Sequence, residues 1–161
     1  MPGKHKLDQI DLRILRALHE DGNLPNARIA ERVHLSESAC LNRVKRLQQQ
    51  GVIRGYRVDI DSRKINPDVC SVFVIVTLES DHTKIVLGFE NFLAKIPEVV
   101  SWHALIGEHD YLLQLLVPRM ERHREIMDEM MSRDLHVNRF VSYVAHRSDT
   151  KPLDLSTLVS R

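Results

Sequence analysis

Apolar residues recur through the first fifty positions at the spacing of short one-faced helices, after which the period changes to two. Leu7, Ile10, Ile14, Leu15 and Leu18 predict a helix from Leu7 to about Asp21. Asp8 is placed to cap it. Asp11 stands at the acid position of a capping box, and Leu7 and Leu12 at the two positions of a hydrophobic staple. Asp21-Gly22-Asn23 stops the helix with turn residues. A second helix, about Asn26 to His34, places Ala27, Ile29, Ala30 and Val33 on one side. Leu35-Ser36 then makes a short turn, and Ser36 caps a third helix. That helix runs to Gln50 and ends at Gly51, the residue type favoured just past a helix C-terminus. Its buried stripe is Ala39, Cys40, Val44 and Leu47, flanked by Leu41. Its other face carries Ser38, Asn42, Arg43, Lys45, Arg46 and Gln49.

After Gly51, Ile53, Tyr56, Val58 and Ile60 fall in a short extended stretch interrupted by Gly55. Asp61–Asp68, polar and containing Pro67, reads as a linker. From Val69 the order is β-α-β-β-α-β. Val69–Glu79 is rich in β-branched residues. Lys84–Lys95 is helical, with Ile85, Phe89, Phe92, Leu93 and Ile96 inward and Pro97 after it. Val99–Ile106 and Tyr111–Val117 are strands joined by Gly107-Glu108-His109-Asp110. Pro118 opens a helix with Met120, Ile126, Met127, Met130 and Met131 at helical spacing, more readily core than a cofactor box, and Val137–His146 is the last strand. The fold class is therefore α+β: helices over residues 1–60, a linker over 61–68, and a ferredoxin-like βαββαβ domain over 69–161. Val72, Phe73, Val74, Ile75 and Val76 are consecutive, so the sheet is apolar on both faces. A small domain cannot leave such a face wet, which predicts a covering subunit.

The net charge of +1 hides an asymmetry. Residues 1–64 carry 13 Lys and Arg against 8 Asp and Glu, whereas residues 65–161 carry 10 against 14. A basic first part and an acidic second part point to domains with different partners. The two cysteines, Cys40 and Cys70, form no CxxC pair, and the nine histidines show no HxxxH or HExxH spacing, so neither a disulfide framework nor a metal site is expected. Residues 1–6 have no apolar signal core, and the longest apolar run is too short to span a bilayer. These features predict a cytoplasmic protein without a membrane partner.

A tight turn before a cationic third helix is what a helix-turn-helix needs. Such a helix must anchor one side on its neighbours and present long polar side chains to base edges and phosphates of double-stranded DNA. Ser38, Asn42 and Arg43 are placed to meet bases. Lys45, Arg46, Arg32 and Arg54 are placed to meet phosphates, and Ser36 opens the helix whose free N–H groups suit a phosphate. A helical domain with a merely solvated charged face shares part of this pattern.

Four segments carry a family resemblance. They are Leu7-Asp8-x-Ile10-Asp11-x-x-Ile14-Leu15, Ile29-Ala30-x-x-Val33, and Leu35-Ser36-x-Ser38-x-Cys40-Leu41-x-Arg43-Val44-x-Arg46-Leu47 with Gly51-Val52-Ile53-x-Gly55-Tyr56. With Gly107-Glu108-His109-Asp110-Tyr111-Leu112-Leu113, which is similar to a G-x-x-D-Y-L motif, the chain resembles the Lrp/AsnC family over roughly residues 7–158. The resemblance implies a winged-type helix-turn-helix, a β linker and a βαββαβ sensor (RAM) domain. It implies a homodimer, often assembled to tetramers or octamers, and no cofactor beyond a small-molecule effector, usually an amino acid. By position the effector residues are Gly107, Glu108, His109, Asp110 and Tyr111, with Ser142, Tyr143, Val144 and Ala145 second. The chain departs from the family at Pro25, at Trp102-His103 and in Arg147-Ser148-Asp149-Thr150-Lys151-Pro152-Leu153.

Gly107 permits close backbone approach, turn N–H groups could hold a carboxylate, and Asp110 could pair with an ammonium. A Gly-x-x-Asp loop is equally an ordinary hairpin connection. Trp102 and His103 enter this loop on opposite faces of their strand and could shape a pocket, or serve as a sheet-core aromatic and a subunit contact. The leading function is an effector-responsive, sequence-specific regulator that acts on a pseudo-palindromic operator and is not an enzyme. The alternatives are a siroheme decarboxylase on the same two-domain plan, using histidines such as His103, His109 and His146, and an architectural DNA-compacting protein.

Overall fold

The computed structural model describes residues 7–148 and 155–158. The chain forms two compact units that divide between Asp59 and Ile60. A single 3-10 turn, Leu155–Leu158, groups with the first unit, although the sequence reading placed it in the second domain.

The first unit holds α1 (Gln9–Glu20), α2 (Asn26–Val33) and α3 (Glu37–Gln49). Asp8 and Asp11 form the reciprocal cap that their spacing predicts: Asp11 N donates to Asp8 Oδ1 at 2.8 Å and Asp8 N donates to Asp11 Oδ2 at 3.1 Å. α2 ends at His34, which turns left-handed (φ 58°, ψ 47°) and lets the chain reverse within two residues. Ser36 then caps α3, its Oγ accepting from Ala39 N at 3.3 Å. The three helices enclose Ile14, Ala17, Ile29, Ala30, Val33, Cys40, Val44 and Leu47. Ala27 departs from the reading: it sits in the first turn of α2 on the exposed side, and Ile29-Ala30-Val33 alone make the buried contact. The stretch after Gly51 also departs. Residues 54–61 pair with no strand, and Tyr56, Val58 and Ile60 stand 50%, 83% and 62% exposed. Alternation gives that stretch the look of a strand, but among the described residues it finds no ladder to join.

The second unit contains α4 (Ser62–Ile65), β1 (Cys70–Leu78), α5 (Thr83–Leu93), β2 (Val99–Ala104), β3 (Tyr111–Val117), α6 (Met120–Ser132) and β4 (Val137–Val144). The short α4 lies in the segment read as a linker; Asp61 caps it through Arg63 N. All strand pairs are antiparallel, in the order β2-β3-β1-β4, which is the split βαβ arrangement expected from the element order. Val72, Val74, Val76 and Leu78 of β1 alternate inward and join Phe89, Phe92 and Leu93 of α5 and Ile126, Met127 and Met130 of α6 in one core. Both helices therefore cover the same sheet face. Met120 and Met131, read as part of that stripe, are instead 37% and 46% exposed. Register places Phe73 opposite Tyr143 and Gln114, and Ile75 opposite Val141 and Leu112, on the face that no helix covers. No helix among the described residues is long and apolar enough to cross a membrane.

Candidate nucleic-acid interface and ligand loop

α3 presents three distinct sides. Cys40, Val44 and Leu47 are buried against α1 and α2. Ser38, Asn42, Lys45 and Gln49, spaced four, three and four residues apart, form an exposed polar stripe opposite the buried one. Between them lies a flank with a second set of partners. Arg43 and Arg46, expected from the sequence among the DNA-contacting side chains, turn toward α1. Arg43 Nη1 donates to Asp8 Oδ2 at 2.6 Å and to Asp11 Oδ1 at 2.9 Å. Arg46 Nη2 donates to both oxygens of Asp11 at 2.6 Å. Asp11 is 1% exposed. A buried carboxylate demands paired, hydrogen-bonded counter-charge, and the two guanidiniums supply it. The Arg43 hydrogen bond holds the Asp8 carboxyl below its ordinary range, and the same pair raises the Arg43 guanidinium. Matched i, i+3 spacing, Asp8/Asp11 on one helix and Arg43/Arg46 on another, was the available signal for this clamp.

The remaining basic candidates differ in their commitments. Lys45 and Arg54 are exposed and form no ion pair among the described residues, whereas Arg32 makes a long 3.4 Å contact with Glu20 on the surface. Ser36 is spent on capping, with its Oγ 3.3 Å from that of Ser38. Cys40 is fully buried and burial pushes its thiol up, which leaves it a packed, unreactive side chain. No group of three His, Cys, Asp or Glu among the described residues could hold a metal ion.

The β2–β3 loop is tied to the end of β1. Asp110 N donates to Val76 O at 3.0 Å, and Asp110 Oδ2 accepts from Leu78 N at 2.7 Å. His109 Nδ1 lies 3.1 Å from Thr77 Oγ1. Gly107 adopts φ 154°, a backbone conformation that side chains other than glycine rarely take. Glu108 is exposed, with a loose 3.7 Å approach to Arg139. Leu105 and Ile106 on the same loop are 40% and 107% exposed, an apolar tip that the sequence reading did not single out. Tyr111, read as an effector residue, belongs to the core. It is 3% exposed, its ring sits 5.0 Å from Phe89, and its hydroxyl donates to Glu90 Oε1 at 2.9 Å. Burial, then that bond, pushes the hydroxyl up to about 12. The other candidates divide between faces. Trp102 is opposite Leu113 on the helix-covered side, His103 is opposite Leu112 on the open side, and Tyr143 is opposite Phe73, also on the open side.

Comparison with known proteins follows this division. Residues 7–54 match the winged helix-turn-helix DNA-binding family, and residues 71–151 match the Lrp/AsnC ligand binding domain. The leucine-responsive regulatory protein of Escherichia coli (strain K12) is 36% identical over 143 residues, 89% of this chain and 86% of the relative. A transcriptional regulator of Neisseria meningitidis, solved as an L-Met complex, aligns with a TM-score of 0.84 at 31% identity, covering 96% of this chain and all of that one. An AsnC family regulator from Agrobacterium tumefaciens aligns at 0.84 and 29% identity, covering 95% and 100%. A DNA-reading helix-turn-helix joined to a ligand-binding βαββαβ unit makes this chain a transcriptional regulator rather than an enzyme, and it belongs to the Lrp/AsnC family.

Proposed function

We propose that this regulator reads a pseudo-palindromic operator through the Ser38–Asn42–Lys45 stripe of α3. The carrying observation is that stripe itself: it is exposed and polar, on a helix whose other sides are fixed by a buried stripe and by the Arg43 and Arg46 ion pairs. Ser38 and Asn42 meet base edges, while Lys45 and Arg54 meet phosphates, with Arg32 and Ser36 at the margin. Arg43 and Arg46 set the angle of the helix and leave direct contact to the others. The protein acts as a dimer or larger oligomer. Phe73, Ile75, Leu112, Leu116, Val141 and Tyr143 form an apolar sheet face that gains most by packing against a second copy. Two recognition helices then fall about one helical turn of DNA apart, or a multiple of it.

The effector is an amino acid with an apolar side chain, bound at the Gly107–Asp110 loop. Turn N–H groups take its carboxylate, the Asp110 oxygen not committed to Leu78 takes its ammonium, and the exposed Leu105 and Ile106 supply apolar contact that a neighbouring subunit completes. Relatives named for leucine response, and a neighbour solved with L-Met, support that class. Competition binding tests the reading. Enrichment of genomic fragments by the protein should yield sites that random DNA displaces poorly. Binding that random DNA competes away equally at every salt concentration would instead mark an architectural DNA-compacting protein.

A further inference from the structure

We infer that the C-terminal segment is a second tether on the DNA-reading unit, with Leu155 seated in an apolar groove along the outer side of α1. α1 is apolar on two sides. Ile14 and Ala17 enter the three-helix core, while Leu12 and Leu15 are only half-buried and face a cavity of about 360 Å³. Leu7, His19, Ile53 and Tyr56 complete its walls, and Leu155 closes it. The lining is aliphatic and aromatic, so an apolar side chain is the occupant it favours. The last residues of the chain, with Leu153, Leu155, Leu158 and Val159, carry such side chains repeatedly. The turn Leu155–Leu158 groups with the compact unit of residues 7–59. The chain therefore leaves that unit at Asp59, builds the ligand-binding unit, and returns.

A unit held at two points explores less space than one held by a single linker. In a dimer that engages two half-sites, this raises the effective concentration of the second recognition helix at its site. This consequence rests on the proposed two-half-site reading; the seating of Leu155 does not.

Two experiments on the full-length protein separate the parts. In the first, chains carrying Leu15→Cys and Leu155→Cys are mixed in ordinary and isotope-labelled form, treated with a short bis-maleimide and mapped by peptide mass, with each single variant as control. Seating within one chain gives a linked 15–155 peptide of a single isotopic composition. No linked peptide would overturn the seating, and peptides mixing the two compositions would put a second copy's segment in the groove instead. In the second, Leu155→Asp should bind a two-half-site fragment several-fold more weakly while binding a single half-site as well as the unaltered protein does, and Leu155→Met should match the unaltered protein on both. Unchanged binding to the full fragment, or equal loss on both DNAs, would overturn the tether. The cross-link uses no DNA, so failure of the two-half-site reading shows only in the second.

Discussion

Arg46 Nη2 lies 2.6 Å from both carboxylate oxygens of Asp11, joining α3 to the first turn of α1 across the first unit. The acid is 1% exposed and the Arg46 side chain 45% exposed, so the charge that cannot reach water is held by one that can. Removing the partners of a buried charge is far more costly than removing an exposed pair. Asp11→Ala removes that charge itself and should lower the stability of the DNA-reading unit by about 1–2 kcal/mol, because it leaves Arg46 without its acid and breaks the capping box, while Arg43 keeps Asp8. Arg46→Ala should cost less, because Arg43 still reaches Asp11. Urea denaturation followed by circular dichroism measures both. Equal costs near zero would show that the clamp does not hold the helix.

Asn42 carries the base-reading expectation. Replacing it with alanine should weaken binding to one half-site of a selected operator by about 1–3 kcal/mol, the range of a bidentate side-chain–base contact, and leave binding to random DNA unchanged. Fluorescence anisotropy with both DNAs provides the comparison. Equal losses on both would reassign Asn42 to the phosphate backbone.

Much of this was legible in the sequence. The capping box of Asp8 and Asp11, the turn at Leu35-Ser36 and the alternation of Val72, Val74 and Val76 are local patterns that spacing alone specifies. The features that spacing does not reveal share a cause. The surface pattern of α3 displays Arg43 and Arg46, but their acidic partners lie 32 to 35 residues away in the chain. Tyr111 was carried by its place in a motif, yet strand alternation turns it inward toward Phe89 and Glu90. The stretch from Ile53 to Ile60 has a strand's period but no strand partner among the described residues, and period cannot reveal a missing ladder.

Tyr111 gives the protein an alkaline signature. An unfolded tyrosine ionises near 10, whereas burial and the Glu90 contact raise the folded value to about 12. A raised folded value means that the neutral form contributes its full stability below about pH 10. That contribution, about 2–3 kcal/mol, is lost as pH rises to about 12. Tyr111→Phe should flatten this limb, as measured by denaturation midpoints across the range. An unchanged alkaline slope would show that another group carries it.

Asp110 should behave as a structural pin. Asp110→Ala frees the buried-end N–H of Leu78 and should cost about 1–2 kcal/mol, while Asp110→Asn, which keeps an acceptor oxygen, should recover most of it. Chemical denaturation of the two variants tests this. Equal loss in both would mean that the charge, rather than the hydrogen bond, is what the loop requires.

If the open sheet face seals the proposed dimer, one charge there should break it. Ile75→Glu places a carboxylate opposite Val141 and Leu112, and it should shift the protein to monomer in sedimentation velocity while leaving the helix-covered core intact. A dimer that survives this substitution would place the subunit contact elsewhere.

The most direct measurement is the salt dependence of operator binding in Lys45→Ala and Arg46→Ala, side by side. If the exposed stripe touches DNA and the clamp only positions it, Lys45→Ala should reduce the slope of log K against log salt by about 1.8, the loss of one phosphate contact in each of the two half-sites. Arg46→Ala should weaken binding without changing that slope. A reduced slope in Arg46→Ala, with Lys45→Ala unaltered, would contradict the assignment and return the arginine to the phosphate backbone.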